Sequence, residues 1–295
     1  MGFNRFQRMK KIVLIISLLV AASQVEAQNE ARFGLFTGIN NTVLSNSKDE
    51  AFGDLLPTFK PSVGVSAGYH FTLFKRLPIG ISAQVASTWM GQNYYGEYAD
   101  STSYYAYSRL HYIRPGLSLH FGSNPRRLVS FEGTIGANYG FLTKYQERYE
   151  LIRYDNSRYI LDVQDQLVQQ KDTYWKSGTL ADPLYNKTDM AIFGTMGLNF
   201  LFSRKIVFGF FVRMDLGQND IENKIANKVT IDGNPPTTSP FLPYQLDVKY
   251  RGPYTASSNR ASTVNKATGV YLTLKYRLYN KEKIEFWYRE HKWAE

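Results

Sequence analysis

The sequence predicts an all-β fold, an eight-stranded antiparallel up-and-down transmembrane β-barrel. Three observations carry this reading: an export leader, apolar residues at every second position, and connections that alternate strictly between short and long.

The leader comes first. Arg5, Arg8, Lys10 and Lys11 precede the apolar run Ile12 to Ala22, and Val25-Glu26-Ala27 supplies small residues at the −3 and −1 positions of a cleavage site. Residues 1–27 therefore read as a signal peptide cut before Gln28. Its apolar run is shorter than the roughly 20 residues a membrane helix needs, and nothing after Ala27 is apolar for long enough to span as a helix. The chain has no cysteine, which excludes disulfides, thiolate metal sites and a cysteine nucleophile. It holds 22 Tyr, 19 Phe and 22 Gly, a mixture that suits short strands better than a helical core. Removing residues 1–27, with four bases and one acid, takes the formal charge from +10 to +7. Export argues against nucleic acid as the basic chain's partner and favours anionic lipid headgroups.

Eight strand segments follow, at about 32–41, 60–74, 78–90, 109–122, 128–142, 189–202, 206–217 and 267–279. In the second, Val63, Val65, Ala67, Tyr69, Phe71 and Leu73 share one face, against Gly64, Ser66, Gly68, His70 and Thr72. The third sets Ile79, Ile81, Ala83, Val85 and Trp89 against Gly80, Ser82, Gln84 and Thr88. The last sets Val270, Leu272, Leu274, Tyr276 and Leu278 against Gly269, Tyr271, Thr273, Lys275 and Arg277. The fourth is irregular: Pro115 removes a ladder donor and the alternation slips near Arg114, which a bulge or an edge-like irregularity would accommodate. In the sixth, Phe193 and Leu201 make both faces apolar, so its lumen side is expected to be partly dry.

Phe74–Pro78, Ser123–Arg127 and Ser203–Lys205 are short connections; 42–59, 91–108, 143–188 and 218–266 are long. This puts tight turns and both chain ends on the periplasmic side and four loops outside the cell. Each short turn carries a basic pair (Lys75-Arg76, Arg126-Arg127, Arg204-Lys205), placed either to meet inner-leaflet phosphates or simply to be solvated. The face with large side chains is expected against lipid, with Trp89, Tyr139 and Phe141 near the outer interface and Phe71, Phe121, Phe202 and Tyr276 near the inner one. Periodicity alone leaves open a soluble barrel with the faces exchanged.

The Val25-Glu26-Ala27/Gln28 junction, the stretch Pro61-Ser62-Val63-Gly64-Val65-Ser66-Ala67-Gly68-Tyr69 and the closing segment from Thr268 to Leu278 resemble the outer-membrane β-barrel (PorT-like) proteins of Bacteroidetes. The resemblance spans essentially the whole mature chain. It implies a bacterial outer-membrane location and no catalytic motif, with membership of secretion machinery for some of that family. The long third and fourth loops and the charged tail depart from it.

An eight-stranded barrel has an interior filled by side chains. Its periplasmic end is expected to collect His70, His120, Glu132, Lys275 and Arg277, with Arg114, Arg213 and Asp215 further out. Charges in a narrow lumen must pair, so Glu132 is expected to bridge to Arg277 or Lys275. This network either rigidifies a plug or gates small solutes. Ser118 and His120 lie two apart on one strand and could imitate a nucleophile and its base, with Glu132 of the neighbouring segment the sole candidate to orient the imidazole. Ordinary lumen packing explains the same residues. No metal-ligand spacing or phosphate loop is present, and no cofactor is implied.

Among the loops, the second gathers Tyr94, Tyr95, Tyr98, Tyr104, Tyr105 and Tyr107, suited to a partner or glycan surface or to the lipopolysaccharide interface. The third keeps its alternation in places and is expected to run on as a hairpin beyond the membrane; its seven bases and seven acids offer no single-sign field. The fourth, with Asn234-Pro235-Pro236, reads as irregular. The tail, 281–295, is charged but aromatic, either a periplasmic amphipathic helix or an extension of the last strand. The expected domains are thus a leader (1–27), a barrel with long extracellular loops (28–280) and a periplasmic tail. The functional expectation is a non-enzymatic barrel that binds an envelope partner or serves an envelope assembly, in contact with outer-membrane lipids. A narrow pore is the alternative, and an enzyme acting on lipid the third.

Overall fold

Residues that alternate in polarity and are rich in Tyr, Val, Ile, Phe and Thr favour pleated strands, and the chain forms little else. The computed structural model describes residues 30–46, 55–73, 77–98, 102–123, 127–152, 158–171, 175–180, 183–203, 205–223, 228–231, 237–238 and 262–279. The leader and the tail lie outside these, as do Lys75, Arg76, Arg126, Arg204 and the Asn234-Pro235-Pro236 segment. Among the described residues no helix is long and apolar enough to cross a membrane.

Fourteen strands are described: β1 (Glu30–Asn46), β2 (Leu55–Leu56), β3 (Phe59–Leu73), β4 (Leu77–Tyr98), β5 (Thr102–Gly122), β6 (Val129–Ile152), β7 (Arg158–Gln164), β8 (Leu167–Lys171), β9 (Trp175–Leu180), β10 (Thr188–Leu201), β11 (Ile206–Gly217), β12 (Lys228–Ile231), β13 (Thr237–Thr238) and β14 (Thr263–Tyr279). Eight of them form a closed ring, in the order β1-β3-β4-β5-β6-β10-β11-β14 and back to β1, every neighbour antiparallel. These are the eight predicted segments, several of them longer than predicted. Closure leaves the ring no edge.

The side chains settle which solvent the ring meets. Phe33, Leu35, Ile39, Val63, Val65, Leu117, Leu119, Ile135, Leu198, Phe210, Leu272 and Leu274 are all exposed on the outside, while Glu30, Arg32, Asn40, Ser62, Ser82, Glu132, Asn138, Asn199, Arg213 and Arg277 are buried within. A water-soluble barrel could not hold a belt of that kind in contact with water. The ring is a membrane barrel.

The β5–β6 ladder skips Arg114 and Pro115, where an irregularity was expected, but without a change of register. Even-numbered residues of β5 point inward on both sides of Pro115, which faces outward. The register shifts instead opposite His111–Tyr112, where β6 carries the extra residue Thr143. Thr143 donates its hydroxyl hydrogen to the His111 carbonyl at 3.0 Å. The bulge reverses the parity of β6: Ser130, Glu132, Thr134 and Asn138 point inward below it, and Tyr145 and Glu147 above.

Outside the membrane the second loop is not a loop. β4 and β5 pair continuously from Ile79↔Phe121 to Tyr98↔Thr102, a ladder that rises well beyond the apolar belt. β6 rises beside them and continues through the antiparallel meander β7-β8-β9 to β12 and β13, while β2 pairs with β4 on the other side. The hairpin expected in the third loop is thus part of a broad extracellular sheet. At its β7–β8 turn, Asp165 adopts a φ of 52° and its carboxylate accepts the Tyr145 N–H at 3.0 Å, tying the turn back to β6. Burial, reinforced by Asp165 and Glu147, pushes the Tyr145 hydroxyl up to about 12.

Candidate functional site

The inward positions of the ring build the site in layers. Nearest the periplasm, Glu30 accepts from both Arg32 and Arg277, the latter through Nε at 2.8 Å. Arg32 also donates to Glu132 at 3.1 Å. Glu132 is the centre of the layer: it further accepts from Lys275 Nζ at 2.7 Å and Asn199 Nδ2 at 2.9 Å, and meets His120 Nδ1 at 3.1 Å. Lys275, rather than Arg277, is therefore its closest basic partner; Arg277 is held by Glu30. His70 stands against His120, ring centroids 5.0 Å apart. Three permanent cations share two carboxylates here, and all five side chains are nearly fully removed from solvent.

Above this layer sits an apolar disc of Phe36, Ala86, Phe211 and Tyr271. Phe193, one of the inward apolar residues of the sixth predicted segment, is also buried, and Arg213 stacks over it at 4.0 Å. Arg213 chelates Asp215 through Nε at 2.8 Å and Nη2 at 2.9 Å, and Asn138 donates to the same carboxylate at 3.1 Å. Further out, Arg114 pairs with Asp189, which also accepts from Asn265 at 2.9 Å. The predicted lumen residues His70, His120, Glu132, Lys275, Arg277, Arg114, Arg213 and Asp215 all point inward. They form three separate ionic clusters, one on Glu30 and Glu132, one on Asp215 and one on Asp189. Sequence reading missed the partners Glu30, Arg32 and Asp189. Glu30 and Arg32 already follow the strand's alternation, four and two residues ahead of Gly34, and that was the available signal.

The outer mouth is closed by apolar packing. Leu44, Met90, Leu110, Tyr112, Tyr145, Val163, Leu184, Tyr185, Ile221 and Ala267 form one buried cluster. Leu184, Tyr185 and Ile221 come from the ends of the two longest loops. They cross the mouth as a strap: Tyr185 bridges Glu222, Asn186 N–H donates to the Ile221 carbonyl at 2.8 Å, and Ile221 N–H to the Thr263 carbonyl at 3.0 Å. Tyr185 also donates to Glu147, which accepts from Ser108 at 2.8 Å.

A relay resembling a hydrolase triad is present. Ser82 Oγ lies 2.6 Å and Ser118 Oγ 3.1 Å from His120 Nε2, whose Nδ1 meets Glu132. Ser82 was not a predicted member. Acyl transfer needs donors aimed at the developing oxyanion. Here the flanking backbone N–H groups face along ladders between paired strands, and Asn199 Nδ2 is taken by Glu132. The relay has the connectivity of a triad. Among the described residues no His, Asp or Glu cluster of three suits a metal ion.

The six predicted partner tyrosines separate. Tyr94 is buried inside the barrel, whereas Tyr95 is exposed on the outside. Tyr105 and Tyr107 face outward and touch edge to face, centroids 6.3 Å apart, and Arg109 lies over Tyr107 at 4.3 Å. Tyr98 and Tyr104 lie near the tip of the β4–β5 hairpin.

A lipid-facing ring around a filled, charged lumen, with tight turns at one end and tall strands at the other, is a bacterial outer-membrane β-barrel. The chain belongs to the outer membrane protein beta-barrel domain family, whose model matches residues 22–223. Among solved structures it is similar to Ail, the attachment invasion locus protein of Yersinia pestis, in complex with the heparin analogue sucrose octasulfate (12% identity, 85% of this chain and 99% of that one, TM-score 0.33). It is also similar to a major outer membrane protein of Thermus thermophilus (12%, 84% and 99%, TM-score 0.37) and to OprG of Pseudomonas aeruginosa (8%, 86% and 97%, TM-score 0.32). No curated protein sequence matches the chain.

Proposed function

We propose that the protein is a non-conducting, non-enzymatic envelope barrel whose extracellular sheet binds a partner, in the manner of an accessory to a larger outer-membrane assembly such as those of the PorT-like proteins. The observation that carries this reading is the double closure of the lumen, ionic at the periplasmic end and apolar at the outer mouth. A solute path would have to break both, while β2, β7, β8, β9, β12 and β13, which are not members of the ring, extend the tall outer ends of β4, β5 and β6 into a sheet beyond the membrane. Short outer strands at both ends of that sheet, β2 and β13, blunt its edges against self-association. The engagement of the neighbouring backbone in strand ladders supports a structural part for Ser82, Ser118 and His120.

The test joins two measurements. Purified protein in planar bilayers is expected to show no unitary conductance. A variant in which a short turn replaces 153–181 is expected to insert normally, yet to lose a companion that co-purifies stoichiometrically with the full chain in mild detergent. Reproducible single-channel steps from the unaltered protein would overturn this reading in favour of a narrow pore.

A further inference from the structure

The outward face of β4, β5 and β6 changes character abruptly at one height. The row Val85, Pro115, Tyr139 and the row Ser87, Ile113, Phe141 still belong to the apolar belt. The next row outward is Trp89, His111 and Lys144, with Trp89 and His111 rings 4.5 Å apart. Then come Gly91, Arg109 and Gln146, and beyond them Asn93, Tyr107 and Arg148. From Phe121 to His111 is ten residues, about 34 Å of strand and roughly 26 Å of height at a tilt near 40°. That equals the height of an outer-membrane apolar band, about 25 Å. Arg109 and Lys144 therefore stand at headgroup level.

Four features converge on these two cations. Both are exposed, and among the described residues neither makes an ion pair, unlike Arg148, which reaches Glu150 at 3.7 Å. On β4, β5 and β6 no acid faces outward in these three rows; the nearest, Asp162 of β7, stands opposite Arg148 and accepts from Gln146 at 3.3 Å. The Thr143 bulge turns Lys144 outward beside His111, whose nitrogens are both occupied, by Ser87 at 2.8 Å and Thr143 at 2.5 Å. Gly91, at a φ of 141°, places no side chain between Trp89 and Asn93 opposite Arg109, whose guanidinium lies 4.3 Å from the Tyr107 ring. Aromatic rings that can stack on a sugar, with paired free cations directly above an apolar belt, complement a phosphorylated sugar on an acyl anchor.

We propose that this patch, centred on Arg109 and Lys144 with Trp89 and Tyr107 around them, is a docking site for the phosphorylated glycolipid headgroup of the outer leaflet. A basic side chain at an anionic surface strengthens binding roughly fivefold, so removing both weakens it about 30-fold. The test is native mass spectrometry of the full-length protein in detergent, titrated with bisphosphoryl lipid A, with its dephosphorylated form and with inorganic phosphate. One retained bisphosphoryl lipid A per barrel is expected, with loss in Arg109→Ala/Lys144→Ala and retention in Lys266→Ala, a control on the far side of the ring. Should the double alanine variant not fold, Arg109→Gln and Lys144→Gln singly are each expected to lose roughly fivefold. Equal retention of the dephosphorylated lipid, undiminished binding by the variants, or displacement by millimolar inorganic phosphate would each overturn the proposal.

Discussion

Replacing Glu132 by Gln keeps the side chain's shape and removes one charge from a layer already short of negative charge. Breaking a buried ion pair on one side costs about 3–5 kcal/mol, because the other charge stays buried without compensation. The lower end applies here. Arg32 keeps Glu30, and Lys275 keeps the Asn199 side-chain amide oxygen at 3.3 Å and the Phe211 ring at 4.7 Å. The expected loss is therefore about 3 kcal/mol, a fall in the urea midpoint of roughly 1 M at a slope near 3 kcal/mol/M. Protein refolded into lipid vesicles and titrated with urea, with tryptophan fluorescence as the readout, measures it. Lys275→Met in the same background removes the orphaned cation and should recover most of the loss, since residues in direct contact couple strongly. A midpoint shift below about 0.3 M in Glu132→Gln, or losses that simply add in the double variant, would refute the assignment of Glu132 as the hub of this layer.

Four further outcomes are expected. Arg114→Met strands Asp189 and should cost about 3–5 kcal/mol, and adding Asp189→Asn should return much of it, read by the same urea titration. Tyr185→Ala removes the ring that packs on Tyr145 at 5.5 Å and should cost about 3 kcal/mol. It should nevertheless leave conductance at zero in a planar bilayer, since the ionic clusters remain beneath the opened mouth. Gly91→Ala forces a side chain into a positive-φ position and against the Ser108 carbonyl; a penalty of about 1–3 kcal/mol is expected by urea midpoint. The Tyr145 hydroxyl, held protonated up to about 12, stabilises the fold fully below the ordinary tyrosine value near 10 and ceases to do so as pH climbs through the folded value. Comparing tyrosinate absorbance of the protein with Tyr145→Phe should show no step from this residue at about pH 10.

The ring was legible in the sequence because lipid on one side and a crowded lumen on the other impose a period of two, which the segments follow apart from the slip near Arg114 in the fourth and the apolar lumen side of the sixth. What lay beyond the membrane was harder to read. Residues 91–108 are largely strand, yet they carry Gly, Asn, Ser and Tyr on both faces, because water bathes the outer side and no apolar alternation survives. Tyrosine's preference for strands was the remaining signal. A bulge or an edge-like irregularity was expected near Pro115, and the β5–β6 ladder does skip Arg114 and Pro115; the register shift itself lies elsewhere. It falls at Thr143, whose residue type gives no warning and whose effect is visible only as a parity change across Leu142 to Tyr145. The mouth strap was invisible for a related reason: Leu184, Tyr185 and Ile221 are isolated apolar residues inside polar loops, and only the fold brings them together. In the lumen, alternation showed which charges point inward but could not show who pairs with whom.

The pairing at the seam explains why such a costly arrangement persists. β1 and β14 close the ring, and their register sets Arg32 directly opposite Arg277. Like charges in that position repel, and a hydrophobic pair would remove the repulsion at once, since replacing buried ions by apolar groups is often neutral or stabilising. Glu30, two residues before Arg32, accepts from both guanidiniums and converts the repulsion into a bridge that joins residues 247 apart in sequence. A slip of one residue along this seam would turn one strand over against the other, sending either Glu30 and Arg32 of β1 or Lys275 and Arg277 of β14 toward lipid, at a cost of about 2–4 kcal/mol for a base near mid-membrane and less toward the interface. The correct register thus keeps a bridge where its nearest competitor exposes two charges. The periplasmic charge layer specifies how the ring closes, and Glu132 extends that specification across the lumen to β6 and β10.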